Sequence, residues 1–130
     1  MTRLDESSIY VSLKSLRNML YEAQYLMQKT DRVVYGTPLM HACADTIKWY
    51  VKAYTARSEK KVEYLAEAIG AFNILRIDLE FCVDHNMIHY KKKENDVNTQ
   101  KVELFKIVAR VDSELCKWEA SLARGKTIVE

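Results

Sequence analysis

Three glycines and one proline in 130 residues are too few for the many turns of a β-rich protein. The same scarcity removes the glycine-rich phosphate cradles: there is no P-loop, no dinucleotide fingerprint and no G-x-S-x-G elbow. Apolar runs are short, none approaching the roughly 20 residues that cross a bilayer. The opening MTRLDESS is charged and polar, unlike a secretion signal, so the expected compartment is the cytoplasm. Cysteine is sparse and odd in number. Cys43, Cys82 and Cys116 fall in three different predicted helices and match no zinc spacing, so they read as reduced, small apolar residues. An excess of either charge is missing too: 20 basic and 18 acidic residues leave +2, a weak footprint for a dedicated nucleic-acid binder. With no nucleophile-base constellation and no cofactor fingerprint, the chain reads as a binding protein. No enzyme activity, metal or cofactor is expected.

What the chain does have is helix-forming pattern from end to end. Its 48% hydrophobic content supports a packed core, and its length fits a single domain, 1–130. A first helix is predicted over about 7–29, where Ile9, Leu13, Leu16, Leu20, Ala23 and Met27 follow a 4-3-4-3-4 spacing. Asp5, Ser7 and Ser8 offer N-caps. Residues 30–37 read as a break, with Thr37 as N-cap and Pro38 as first residue of a second helix, 38–57. Its inner face carries Leu39, Met40, Cys43, Ile47, Tyr50, Val51 and Tyr54. Ser58 is a candidate cap for a third helix, 59–85. A break at 86–95 precedes a fourth, 96–123, with Gly125 expected just past its end. The fourth seam is Val97, Leu104, Val108, Val111, Leu115, Trp118 and Leu122. Short connections between long helices predict an all-α, antiparallel up-down-up-down four-helix bundle.

The third helix is the most informative segment. Leu65, Ala68, Phe72, Leu75, Leu79 and Cys82 form one seam, and Gly70, Ile74, Ile77 and Phe81 form a second row beside it. Asn73, Arg76, Glu80 and Asp84 are confined to a narrow polar arc. Apolar character around so much of a helix implies a large core or a subunit interface, and this chain has room for only a small core. A homo-oligomer is therefore expected.

Candidate sites follow from charge and aromatics. Lys106, Arg110, Lys117 and Arg124 face away from the fourth seam as a basic stripe, and Lys91, Lys92 and Lys93 add a cluster in the preceding break. Such residues bind nucleic acid through phosphates, without sequence preference; the plainer role of outward lysines is to keep a bundle in solution. Trp49, flanked by Lys48 and Lys52 on the outer side of the second helix, is a candidate partner anchor unless that helix is rotated differently or Trp49 packs against the first helix. Arg76 is a candidate contact in the polar arc, with Glu80 and Asp84 as its candidate ion-pair partners. His85 and His89 share the spacing of metal ligands, but Asn86 and Met87 mark a helix ending, which favours a solvated terminus.

Three motifs carry a family resemblance. Residues 68–81 read Ala68-x-Gly70-x-Phe72-x-x-Leu75-Arg76-x-x-Leu79-x-Phe81, Trp118 opens a W-x-x-x-L-x-R-x-K pattern to Lys126, and Tyr35-Gly36 precedes the second helix. In order and spacing these resemble the accessory variability determinant (Avd) proteins of diversity-generating retroelements, over roughly residues 13–126. They also resemble the broader class of four-helix-bundle proteins encoded in ribosomal RNA intervening sequences. The Avd resemblance implies pentameric barrels that bind a cognate reverse transcriptase and nucleic acid. It implies support for error-prone copying of a template RNA, with no catalytic residues of their own. Arg76 matches a basic position of that family, whereas Glu80 stands where a second basic residue can occur. With +2 overall, the expected RNA or DNA affinity is weak to moderate and electrostatic. The alternative is a generic scaffold of the intervening-sequence type.

Overall fold

A computed structural model describes residues 3–90 and 94–129, apart from the side chains of 94–99 and 125–129. Four long helices pack as a bundle: α1, Ser8–Tyr25; α2, Thr37–Thr55; α3, Ser58–Asp84; and α4, Glu94–Val129. The neighbours are α1 with α2, α2 with α3, α3 with α4, and α4 with α1. Connections too short for a crossover make adjacent helices antiparallel.

Local chemistry sets the ends. Ser7 has extended backbone, and its Oγ accepts the Tyr10 amide at 3.4 Å, the bond expected of an N-cap. α1 stops at Tyr25, four residues short of the expected end. The Arg32 guanidinium donates to the carbonyls of Gln24, Tyr25 and Met27 at 3.1, 3.2 and 3.3 Å, placing a cation on the negative end of the helix.

The break expected at 30–37 is helical instead. A turn at Lys29–Asp31 runs through a π-helix, Arg32–Gly36, straight into α2. Thr37 is therefore inside a continuous helix and is not an N-cap: its φ and ψ are −63° and −46°, and its hydroxyl donates to the Arg32 carbonyl at 3.3 Å. The wider π turn accommodates Pro38, which lacks an amide hydrogen and would clash with the carbonyl four residues back in a regular α-helix. Gly36 is buried here. A Cβ at this position would lie 3.2 Å from Gln24 Cβ and 3.3 Å from Met27 Sδ, so the absent side chain lets this segment close against the end of α1.

Ser58 is likewise inside α3 rather than capping it. Arg57 is the capping residue and makes no side-chain cap bond. α3 ends where the sequence suggests. Asn86 takes a φ of 53°, and the Asn86 and Met87 amides donate to the Val83 and Cys82 carbonyls, each at 3.0 Å. This is a Schellman ending with asparagine in the left-handed position. α4 carries Gly125 within it and continues to Val129, so the expected stop at that glycine does not occur.

The core follows the predicted seams of α1, α3 and α4, whereas the buried face of α2 is Leu39, Ala42, Cys43, Thr46, Tyr50 and Ala53, so that Met40, Ile47, Val51 and Tyr54 of the expected inner face are only partly buried. Leu13, Leu16 and Leu20 of α1 meet Leu39, Cys43 and Tyr50 of α2, Phe72, Leu75 and Leu79 of α3, and Leu104, Val111 and Leu115 of α4. Truncating one such leucine to alanine costs about 2–5 kcal/mol. Val97, the first residue of the predicted fourth seam, lies outside the described side chains. The buried Thr46 hydroxyl donates to the Ala42 carbonyl at 2.8 Å, so it carries no unpaired polar group into the core.

Candidate interaction surfaces

The two apolar rows of α3 have different fates within one protomer. Its seam is buried, while the second row faces solvent: Ile74 is 59% exposed, Ile77 62% and Phe81 41%. Gly70 is exposed in the same row, with no atom within 4 Å of where its Cβ would stand. Phe81 is partly covered by His85, stacked at 4.1 Å, and by Tyr35 at 5.4 Å. Carboxylates border the row. α3 carries Glu59, Glu63, Glu67, Asp78, Glu80 and Asp84 against Lys60, Lys61 and Arg76. On the α2 side a groove of about 310 Å³ separates Ile74, Ala71 and Asp78 from Pro38, His41, Ala42 and Asp45.

Arg76 sits between α3 and α4. Its guanidinium lies 3.4 Å from Asp112 Oδ1 and donates to Asn73 Oδ1 at 3.3 Å. The ion-pair partner is thus a residue of α4, not Glu80 or Asp84 of the same helix. Both side chains of the pair are 37% exposed, so the pair is accessible from solvent.

On α4, Lys106, Arg110, Lys117 and Arg124 are all exposed. Lys106 reaches Glu103 at 3.5 Å, and none of the described ion pairs involves the other three. Lys91, Lys92 and Lys93 lie outside the described residues.

Trp49 is half-buried at the junction of α2 and α3, packed on Tyr64 with ring centroids 5.8 Å apart. Its packing partner is α3, not α1. Lys48 Nζ lies 4.9 Å and Lys52 Nζ 4.7 Å from the indole centroid, and Lys52 also reaches the Tyr64 ring at 6.0 Å. The two lysines i and i+4 on α2 therefore flank one aromatic cluster with positive charge.

A further cluster was not singled out from the sequence. Where α1 begins and α2 ends, Tyr50, Tyr54 and Trp118 wall a cavity of about 690 Å³ that also meets Lys61, Glu114 and Lys117. Tyr50 meets Trp118 edge-on at 5.6 Å and Tyr54 at 6.1 Å. Its hydroxyl is hydrogen-bonded to Ser7, and burial is the main cause holding its pKa above the ordinary tyrosine value. Glu114 accepts hydroxyls from Ser8 and, at 3.0 Å, from Ser12. Lys61 Nζ donates to the Ala53 and Tyr54 carbonyls at 3.0 and 2.8 Å and lies 5.9 Å from the Trp118 ring. In the sequence Tyr50 and Trp118 are seam positions, and Trp118 also opens the W-x-x-x-L-x-R-x-K pattern. The signal available in the sequence was Tyr50 and Tyr54 one turn apart on one face, with Trp118 near the facing end of α4.

His85 Nδ1 lies 2.9 Å from the Phe81 carbonyl, and His89 is exposed beyond the end of α3. Among the described residues no group of His, Cys, Asp or Glu is arranged to hold a metal ion. None of the described helices is long and apolar enough to cross a membrane. Comparison with protein-family models, curated proteins and solved structures finds no match to this chain.

Proposed function

We propose that this chain is a non-enzymatic, ring-forming accessory protein. It binds a retroelement reverse transcriptase and its RNA or DNA, supporting mutagenic cDNA synthesis and retrohoming in a diversity-generating retroelement. The observation that carries assembly is the solvent-facing row Gly70, Ile74, Ile77 and Phe81. Large apolar side chains contiguous along one helix face mark an interaction surface. A ring closed by symmetry covers every copy of that surface and leaves no open edge. The resemblance to Avd proteins, above all in the 68–81 pattern, suggests the partner and five subunits.

Within this reading, Lys106, Arg110, Lys117 and Arg124 give each subunit a phosphate-binding stripe, with Lys91, Lys92 and Lys93 as a further source of charge. Repetition around a ring turns weak sites into avidity. Trp49, Lys48 and Lys52 offer the reverse transcriptase an aromatic anchor with positive flanks. The low net charge favours a complex that depends on protein contacts more than on RNA. It equally favours the second reading, a four-helix scaffold of the intervening-sequence type.

The reading requires a reverse transcriptase gene beside this one, and co-purification with its product separates the two. Retention of the polymerase on tagged wild-type protein is expected, with weaker retention by Trp49→Ala. Failure of the wild type to retain it removes the functional reading. Equal retention by Trp49→Ala removes only the proposed contact surface.

A further inference from the structure

The cavity at the Tyr50–Trp118 end of the bundle lies apart from the exposed row of α3 and shares only Lys117 with the basic stripe of α4. We propose that it is a binding site for a planar aromatic anion.

Size and walls set the first half of that assignment. About 690 Å³ falls within the range of small-molecule pockets, roughly 300–1,000 Å³. Three of its walls are the rings of Tyr50, Tyr54 and Trp118, which favour a flat ligand that can stack or meet them edge-on. The floor is rigid. Tyr50 is fully buried, and its hydroxyl is held by Ser7.

The polar groups set the sign. An aromatic box with a carboxylate is usually a cation trap, but here the box already contains its own cations. Lys61 spends two of its three N–H groups on the last carbonyls of α2, stays beside the Trp118 ring and makes no ion pair among the described residues. Lys117 is exposed at the rim and also lacks a described carboxylate partner. Glu114, the one carboxylate among the described residues lining the cavity, is occupied by the hydroxyls of Ser8 and Ser12. Two ammonium groups therefore stand against one carboxylate already stabilised by hydrogen bonds. An incoming anion gains charge-assisted hydrogen bonds, and an incoming cation meets two like charges. The anionic group reaches Lys117 and the free N–H of Lys61, while the ring lies against Trp118 and Tyr54.

Two sources share this chemistry, an aromatic carboxylic acid and a nucleotide. Calorimetric titration of the full chain with 2-naphthoate and, separately, with adenosine monophosphate distinguishes them. At least one of the two is expected to bind at one site per chain. If only adenosine monophosphate binds, the source is a nucleotide; if only naphthoate, an aromatic acid. Lys117→Glu, an exposed substitution whose fold is checked by circular dichroism, is expected to weaken binding about tenfold or more. Trp118→Ala is expected to abolish it. Val102→Ser, at an exposed position of α4 outside the cavity lining, is expected to leave it unchanged. Benzyltrimethylammonium, equally flat but cationic, is expected not to bind. The proposal is overturned if neither anion binds at millimolar concentration, if Lys117→Glu binds as the wild type does, or if the cation binds as tightly as the anions.

Discussion

One substitution made at two glycines is expected to have different effects on stability, because the surroundings differ while the backbone does not. Gly36 and Gly70 both have helical backbone, and neither has positive φ. On propensity alone, alanine gains about 1 kcal/mol at either position. At Gly70 the added methyl meets nothing within 4 Å, so the full gain is expected in the isolated protomer. At Gly36 the methyl stands 3.2 Å from Gln24 Cβ and 3.3 Å from Met27 Sδ. Overpacking at a buried contact costs about 1–3 kcal/mol, which cancels or reverses the gain. Gly36→Ala should therefore be less stable than Gly70→Ala by about 1–3 kcal/mol. That corresponds to a separation in Tm of at least about 3 °C for a domain of this size. Urea denaturation and thermal melting, both at concentrations low enough to dissociate any assembly, read the difference. Equal stabilities, or a Gly36→Ala protein more stable than Gly70→Ala, would refute the packing of the Arg32–Gly36 segment on α1.

Further expectations concern the charged and sulfur groups. Arg76→Ala breaks a pair whose members are each 37% exposed, so the loss of stability by urea denaturation should stay within about 1 kcal/mol while binding of the reverse transcriptase falls. A large drop in stability with unchanged binding would make Arg76 structural only. Charge reversal at Lys106 and Arg110 should weaken RNA binding and flatten its dependence on salt in a filter-binding series; unchanged binding places the nucleic acid elsewhere. Iodoacetamide at pH 8 should modify Cys116 first, because Cys43 and Cys82 are buried and burial pushes both thiols up to about 11. The same shift has a stability consequence. Unfolded thiols ionise near 9.0, so the contribution of Cys43 and Cys82 is complete below that pH and fades as pH rises through about 11. A denaturation midpoint that rises between pH 9 and 11 would contradict their burial.

The four helices were legible because the seams that repeat every three or four residues are the ones buried, as Leu13, Leu16 and Leu20 show in α1. The errors cluster at helix ends, where local signals compete with packing. Thr37-Pro38 has the chemistry of a helix start, but a π turn absorbs the proline and the close fit of Gly36 to α1 keeps the segment helical. Gly125 has the chemistry of a stop, yet α4 runs through it. Surfaces built by one helix were easier to read than those built by several. The exposed row of α3 and the stripe of α4 each belong to a single period. The Arg76–Asp112 pair and the Trp49–Tyr64 cluster join two helices, and the end cavity joins residues from Ser7 to Leu122. Periodicity along one helix carries no information about which neighbour it will face.

The proposed ring requires that the row Gly70, Ile74, Ile77 and Phe81 be covered by another copy of the chain. Light scattering coupled to size exclusion at micromolar concentration tests it most directly. The expected result is a single species at a multiple of 15.2 kDa, with five copies favoured by the Avd resemblance, and its conversion to a folded 15.2 kDa monomer by Ile74→Glu with Ile77→Glu. A wild-type protein that elutes as a 15.2 kDa monomer at that concentration would contradict it.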